Sequence, residues 1–404
     1  MSIVQIFDQT APYVSGYSMR SLYLTNALHQ LGLDVKAVRS PIFPYKQNEE
    51  TIQGVPYYST VMSAFERIRK FSFLKEALVI RALKNRLGSL DLNDATLLDA
   101  HSSVLNGIAA GSIARKRKIP FIYEVRALWE DAAVDQGKTK EGSPRYLLTR
   151  KIETDVIRRA DKITVICEGL REDILRRGIP TDKISVIQNG VDTEEFQPPA
   201  GRDTEIVDTY SLKDVKVIGF VGTFFQFEGL EILIRAAENI IRRAPHVKFL
   251  LVGGGREEAN LKKLTAELKL NEHVIFSGRV KHEDVKKFYS VIDILVYPRI
   301  SLRITELVTP LKPLEAMAME KIVIGSDVGG LKELITPQPE KVNGLLFKAG
   351  DVDDLVEKCL YALTHTQDVD ALRKQAREWV VKERNWLTIC RRYLDIFCSL
   401  GVSV

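Results

Sequence analysis

Paired cysteines are missing from this chain. Its four, Cys167, Cys359, Cys390 and Cys398, sit apart in apolar stretches with no C-x-x-C spacing, which excludes a zinc ribbon or dithiol redox motif and reads as reduced core thiols. His29, His101, His246, His273, His282 and His365 contain no H-x-x-x-H pair that would set two imidazoles on one helical face. Neither G-K-[ST] nor G-x-G-x-x-G occurs, so neither a P-loop nor a dinucleotide fingerprint is supported. Nothing approaches the roughly 20 unbroken apolar residues needed to span a bilayer. The start, MSIVQIFDQTAPYVSG, has no succession of basic region, apolar block and cleavage site. A cytoplasmic protein is expected, without metal or organic cofactor and without a nucleic-acid partner.

What is present is ordinary globular composition at a length too great for one core. With 404 residues and 45% apolar content, two domains are expected. The net charge of +5 is unevenly spread. Between Met62 and Gly88, Arg67, Arg69, Lys70, Lys75, Arg81, Lys84 and Arg86 face only Glu66 and Glu76, with Phe65, Ile68, Phe71, Leu74, Leu78 and Ile80 interleaved. Such a basic amphipathic segment suits an anionic membrane surface at 62–88, and so a place at the inner face of the membrane. It equally suits a surface helix whose apolar stripe packs on its own domain.

Short β-branched runs alternate with helical patterns in two series. IVQIF, LDVKAV, TLLDAH, PFIYEV, KITVI and KISVI mark the first; VKVIGFVG, VKFLLVGGG, VIFSG, ILVYP, KIVIGSD and GLLFK mark the second. Strands separated by helices imply mostly parallel sheets. The stretch after Asn189 loses periodicity and gathers Pro, Gly and charge, which marks a linker. The expected fold class is α/β, with two Rossmann-like domains facing across a cleft. Residues 1–190 form one, 191–375 the other, and a helix over 376–404 packs back on the first. Ligands of open α/β sheets bind beyond the carboxyl ends of the strands, so loops of both halves should assemble the site.

Glycines punctuate the strand ends at Gly222 and Gly253, where a tight turn or close approach to a phosphate explains them equally well. Asp351 and Asp353 have the spacing of a metal-binding carboxylate pair, but they precede an apolar-periodic helix, where Asp serves as cap. The segment from Glu306 to Gly330, ELVTPLKPLEAMAMEKIVIGSDVGG, is more specific. With the glycine loop at Gly16, HSSVLNGIAA, ADKITVICEGLREDI, VIQNGVDTEEF, VGTFFQFEGLEILIRA and NGLLF, it resembles the retaining glycosyltransferases of the GT-B architecture, the family of sucrose synthases and bacterial mannosyltransferases. SGYSMRS, YEVRALWEDAAVD and TELVTPLKPLEAMA are similar to a bacterial subgroup associated with exopolysaccharide and surface glycans.

The resemblance implies transfer of a sugar from a nucleoside diphosphate sugar to a glycan or lipid-linked acceptor, with no metal if cations and amides neutralise the leaving group. It implies that Glu315 accepts hydrogen bonds from the ribose and that Glu306 contacts sugar hydroxyls near the reacting carbon. Lys312 and the amides from Leu311 to Leu314, including Pro313, face the diphosphate, with Gly16 and Tyr17 closing from the other domain. His101 lines the sugar or acceptor side; its alternative is a polar strand-end residue capping the next helix.

Two departures stand out. Eight residues separate Glu306 from Glu315 where the family has seven, and Thr223 and Glu228 stand where the family carries Arg and Lys for the diphosphate. Arg299 and Arg303, with Lys312, are the expected compensating cations. Glu124, Arg126, Trp129 and Glu130 suit a sugar acceptor, since an aromatic face packs on C–H groups while carboxylates bind hydroxyls; an internal Arg–Glu pair explains the same residues. A sugar-nucleotide epimerase and a catalytically decayed donor-binding scaffold are the alternative functions.

Overall fold

A computed structural model describes residues 2–61, 72–90, 95–135 and 137–402. The chain divides into two compact units, residues 1–189 with 386–404 and residues 190–385.

Unit 1 carries strands β1 (Ser2–Phe7), β2 (Asp34–Arg39), β3 (Glu49–Ile52), β4 (Val55–Ser59), β5 (Ala95–His101), β6 (Phe121–Val125), β7 (Lys162–Val165) and β8 (Ile184–Val186). They form one sheet in the order β3-β4-β2-β1-β5-β6-β7-β8, parallel except where β3 meets β4. Its helices are α1 (Gly16–Gln30), α2 (Ser72–Ser89), α3 (Val104–Arg117), α4 (Trp129–Asp135), α5 (Pro144–Arg159) and α6 (Glu168–Arg176). The strands are buried on both faces, as Ile3, Val4, Ile6 and Phe7 of β1 show, which is why they read as unbroken apolar runs rather than as alternation.

The described part of the basic segment, α2, buries Val79, Leu83 and Leu87 on one helical face and packs against α3. Of the interleaved apolar residues, Leu78 and Ile80 are half-buried and Leu74 is exposed. Residues 62–71, with Arg67, Arg69 and Lys70, lie outside the described residues.

Unit 2 carries β9 (Lys216–Thr223), β10 (Val247–Gly254), β11 (Val274–Gly278), β12 (Ile294–Tyr297), β13 (Ile322–Ser326) and β14 (Leu345–Phe347) in the order β11-β10-β9-β12-β13-β14. Around them lie α7 (Thr204–Thr209), α8 (Leu230–Arg243), α9 (Glu258–Glu267), α10 (Val285–Val291), α11 (Arg303–Leu307), α12 (Lys312–Ala318), α13 (Gly329–Ile335), α14 (Val352–Thr364) and α15 (Thr366–Glu383). In α8, Leu233, Ile234, Ala237 and Ile240 are buried at helical spacing, while Arg235 and Arg242 pair outward with Glu231 and Glu238. Asp351 caps α14 by accepting from the Asp354 N–H at 3.1 Å, the role expected of Asp before an apolar helix.

Two expectations change here. From Gly190 the chain already belongs to unit 2, and Phe196 before the largely exposed stretch at 198–201, with Ile206 and Leu212 after it, joins its core. The returning segment begins ten residues later than 376. Ala376, Trp379 and Val380 of α15 are core residues of unit 2 at spacings that share one helical face, and only α16 (Trp386–Ser399) belongs to unit 1. There Trp386 stacks on Tyr23 at 6.0 Å between centroids, beneath the Arg20 guanidinium.

Candidate active site

At the carboxyl end of the unit-2 sheet, Gly222 and Gly253 end neighbouring strands in register. Both need glycine. Gly253 has φ +130°, and a Cβ there would stand 1.9 Å from the Gly222 carbonyl oxygen; Gly222 has φ +149°, and a Cβ would stand 2.7 Å from Lys312 Nζ. The bare turn lets the Lys312 stem lie across β9, with Nζ 4.4 Å from the Phe220 ring centroid.

Glu228, just before α8, is buried and forms the anionic centre of this corner. It accepts from Lys312 Nζ at 2.7 Å and from Arg299 Nε and Nη2 at 3.2 and 3.3 Å. Burial alone would raise its pKa, but Arg299 and then Lys312 hold it down to about 2. Burial lowers the Lys312 pKa, with Glu228 opposing. The residue that departs from the family's lysine is thus a carboxylate locked to two cations. The sequence reading takes Glu228 as a loss of positive charge and misses this cluster, since its partners Arg299 and Lys312 lie 71 and 84 residues on.

Lys312 opens α12. Its carbonyl accepts from the Tyr297 hydroxyl at 3.0 Å, and Glu315, one turn on, accepts from the Tyr289 hydroxyl at 3.0 Å. Burial pushes Glu315 up to about 7 against the Tyr289 hydrogen bond and Lys312. The expected row of amides from Leu311 to Leu314 is shorter than anticipated. Pro313 has no N–H, and Leu314 is a core side chain whose N–H donates to the Leu311 carbonyl. These two shape the turn, leaving the amides of Leu311 and Lys312.

Glu306 is placed by its own unit. Oε1 accepts from Ser301 Oγ at 2.6 Å and Oε2 from the Gly329 N–H at 2.7 Å, so the carboxylate clamps α11 to the start of α13. Arg303 is the half-buried first residue of α11, and Thr223 ends β9 exposed.

In unit 1 two of the expected acceptor residues, Glu124 and Arg126, form a second buried cluster. Glu124 accepts from Arg20 at 3.0 Å to each oxygen, from Arg126 Nε at 2.7 Å and from the Tyr393 hydroxyl of α16. Arg20, His101 and Arg126 outweigh its burial and hold it well below the usual carboxylate range. His101 is fully buried, stacked on Phe7, with Nδ1 2.9 Å from Glu124 and Nε2 3.1 Å from Asp99. Glu130 is buried against Arg177 at 2.6 Å. Glu124, Glu130 and His101 are fully buried and Arg126 nearly so, each engaged with side chains of its own unit. Trp129 is half-buried, its backbone N–H donating to Glu153 Oε2 at 2.6 Å. Gly16 begins α1 behind the Ser15 cap, and the Tyr17 hydroxyl accepts from the Asp8 N–H at 3.2 Å. Among the described residues, no group of three or more His, Cys, Asp or Glu is placed to hold a metal ion, and no helix is long and apolar enough to cross a membrane.

Two family models tile the chain. "Glycosyltransferase Family 4" matches residues 14–195 and "Glycosyl transferases group 1" matches 202–379. The sucrose-phosphate synthase of Thermosynechococcus elongatus superposes with a TM-score of 0.77 at 22% identity over 99% of both chains. The chain has the GT-B fold, and each of its halves matches a glycosyltransferase model. The HepE protein of Anabaena, solved with UDP and glucose, shares the fold at a TM-score of 0.74 and 16% identity, over 99% of this chain and 100% of that one. Among curated relatives, a GDP-mannose-dependent phosphatidylinositol monomannoside mannosyltransferase of Mycolicibacterium smegmatis is 24% identical over 59% of this chain and 62% of its own length. The chain spans about three fifths of the first curated relatives it matches.

Proposed function

We propose that the protein transfers a sugar, with retention at the anomeric carbon, from a nucleoside diphosphate sugar to a glycan or lipid-linked acceptor in surface-polysaccharide synthesis. The observation that carries this reading is the corner of unit 2 where Lys312, Arg299 and Glu228 meet the glycine turns, one helical turn from Glu315. Lys312 offers an ammonium group oriented by Glu228 and the Phe220 face, where negative charge grows as the diphosphate departs. A fixed cation there lowers the barrier without reorganising. Glu315, oriented by Tyr289, accepts from the ribose hydroxyls. Arg303 adds charge from α11, and Glu306, held by Ser301 and Gly329, turns its remaining lone pairs to sugar hydroxyls. HepE was solved with UDP and glucose, which favours a nucleotide-sugar donor here.

The chemistry proposed needs no divalent ion, so transfer survives excess chelator. The basic segment at 62–88 supplies the lipid contact that a membrane-held acceptor requires; Arg67, Arg69 and Lys70 changed to Glu would release the protein from anionic vesicles and leave transfer to a soluble acceptor intact. The test of the whole reading is the anomeric configuration of the product, read by proton NMR after incubation with nucleotide sugars and membrane extract. Retention supports it; inversion, or free nucleotide with an altered sugar and no acceptor, refutes it.

A further inference from the structure

The buried carboxylate of the unit-2 corner is answered twice. Arg299 meets Glu228 through Nε and Nη2 and directs Nη1 to the Val308 carbonyl at 3.4 Å, while its guanidinium lies against the Phe227 ring at 5.6 Å. That pair is closed by itself. The Arg299 and Glu228 side chains are 9% and 3% exposed, and a carboxylate at such depth is compensated by one well-placed cation. Lys312 is a second. Its Nζ reaches the same carboxylate at 2.7 Å although its side chain is 21% exposed. It lies there because Gly222 is bare, since a Cβ at Gly222 would stand 2.7 Å from both Cδ and Nζ of Lys312. A purely stabilising role for Glu228 accounts for Arg299 and leaves the Lys312 contact unexplained.

Two cations and one carboxylate give this cluster a single net positive charge, and the ammonium that reaches solvent is held by the carboxylate. Glu315 also acts on Lys312, but burial pushes its own pKa up to about 7, which makes Glu228 the fully ionised acid of the corner at neutral pH. An anion arriving at Lys312 therefore meets an ammonium already shared with Glu228, and its repulsion from Glu228 grows with its charge. A free nucleoside diphosphate carries more negative charge than its sugar ester, so it is repelled more than the donor is.

We infer that Glu228 is a release element of the donor corner: by competing for Lys312 it holds down the affinity for the free nucleoside diphosphate, so that this product leaves once the sugar has gone. Glu228 is a positioning residue acting through Lys312. The inference rests on the donor reading above and adds to it a residue that weakens nucleotide binding rather than building it.

UDP, GDP and ADP are titrated calorimetrically into the full chain and into Glu228→Gln at about pH 7. Gln keeps the shape and an acceptor for Lys312 while removing the charge, and the diphosphate then becomes the counterion that keeps Lys312 charged. The diphosphate that binds the wild type binds Glu228→Gln about tenfold tighter or more, and the gain disappears when Lys312→Met is added to Glu228→Gln. A carboxylate that only braced the two cations would give the opposite sign, because a loosened corner binds more weakly. Should Glu228→Gln fail to fold, as its melting curve would show, Glu228→Ser admits water beside Arg299 and carries the same expectation. Equal or weaker diphosphate binding in the folded variant, or a gain that survives Lys312→Met, would overturn the inference and leave the donor reading standing. Absence of binding by all three nucleotides to wild type and variants alike would overturn both.

Discussion

Glu228 sets the charge of the donor corner, and its ionisation is a stability statement as well as a functional one. Its pKa falls from 4.5 to about 2, so it stabilises the fold above the unfolded value. That contribution, about 3 kcal/mol, is lost as pH falls through the window between them. Glu228→Gln should therefore reduce the acid-side slope of stability between roughly pH 5 and pH 2, read from urea midpoints across that range. The cations act on the reaction rather than on resting affinity. Lys312→Ala and Arg303→Ala should each lower turnover by about 100-fold to 1000-fold, with a smaller change in nucleotide affinity by calorimetry. Near-normal turnover in both would reject compensation for the missing Arg and Lys. Glu315 behaves in the opposite sense to Glu228. With a pKa of about 7, it ionises only as pH rises past neutrality, and the carboxylate is the better ribose acceptor. Nucleotide affinity should rise between about pH 6 and pH 8 in the wild type and stay flat in Glu315→Gln.

Elements hold these residues in place through contacts distant in sequence. Helix α16 returns to unit 1 and brings the Tyr393 hydroxyl to Glu124, 269 residues away, while Trp386 seats against Tyr23 and Arg20. Trp386→Ala should destabilise by about 3 to 5 kcal/mol, the usual range for deleting a buried Trp, measured by urea denaturation. The β9 and β10 exits are equally constrained. Gly253→Ala would force a Cβ into the Gly222 carbonyl, so the strand ends must separate. Nucleotide binding should weaken beyond what the stability loss accounts for, as calorimetry on the folded fraction would show.

Across the whole molecule, what is local in the sequence was legible and what is paired at long range was not. The βα alternation was readable because strands buried on both faces leave continuous apolar runs such as those of β1 and β10. Gly222 stood out as a glycine at a strand end, and Lys312 and Glu315 through the resemblance of their segment to the glycosyltransferase family. Glu228 looked like a deficit, since nothing nearby shows that Lys312, 84 residues on, and Arg299 close upon it. Glu124 and Arg126 looked like acceptor ligands because Arg20, 104 residues earlier, and Tyr393 fill the space around them only in the fold. The central claim is that the unit-2 corner moves sugar from a nucleotide donor to an acceptor. Its most direct measurement incubates wild type and Lys312→Ala with labelled nucleotide sugars, with and without membrane extract, and follows label and released nucleotide together. The account predicts acceptor-dependent transfer with matching nucleoside diphosphate release in the wild type and its near-abolition in Lys312→Ala; wild-type release without acceptor, no turnover of any donor, or transfer unchanged in Lys312→Ala would contradict it.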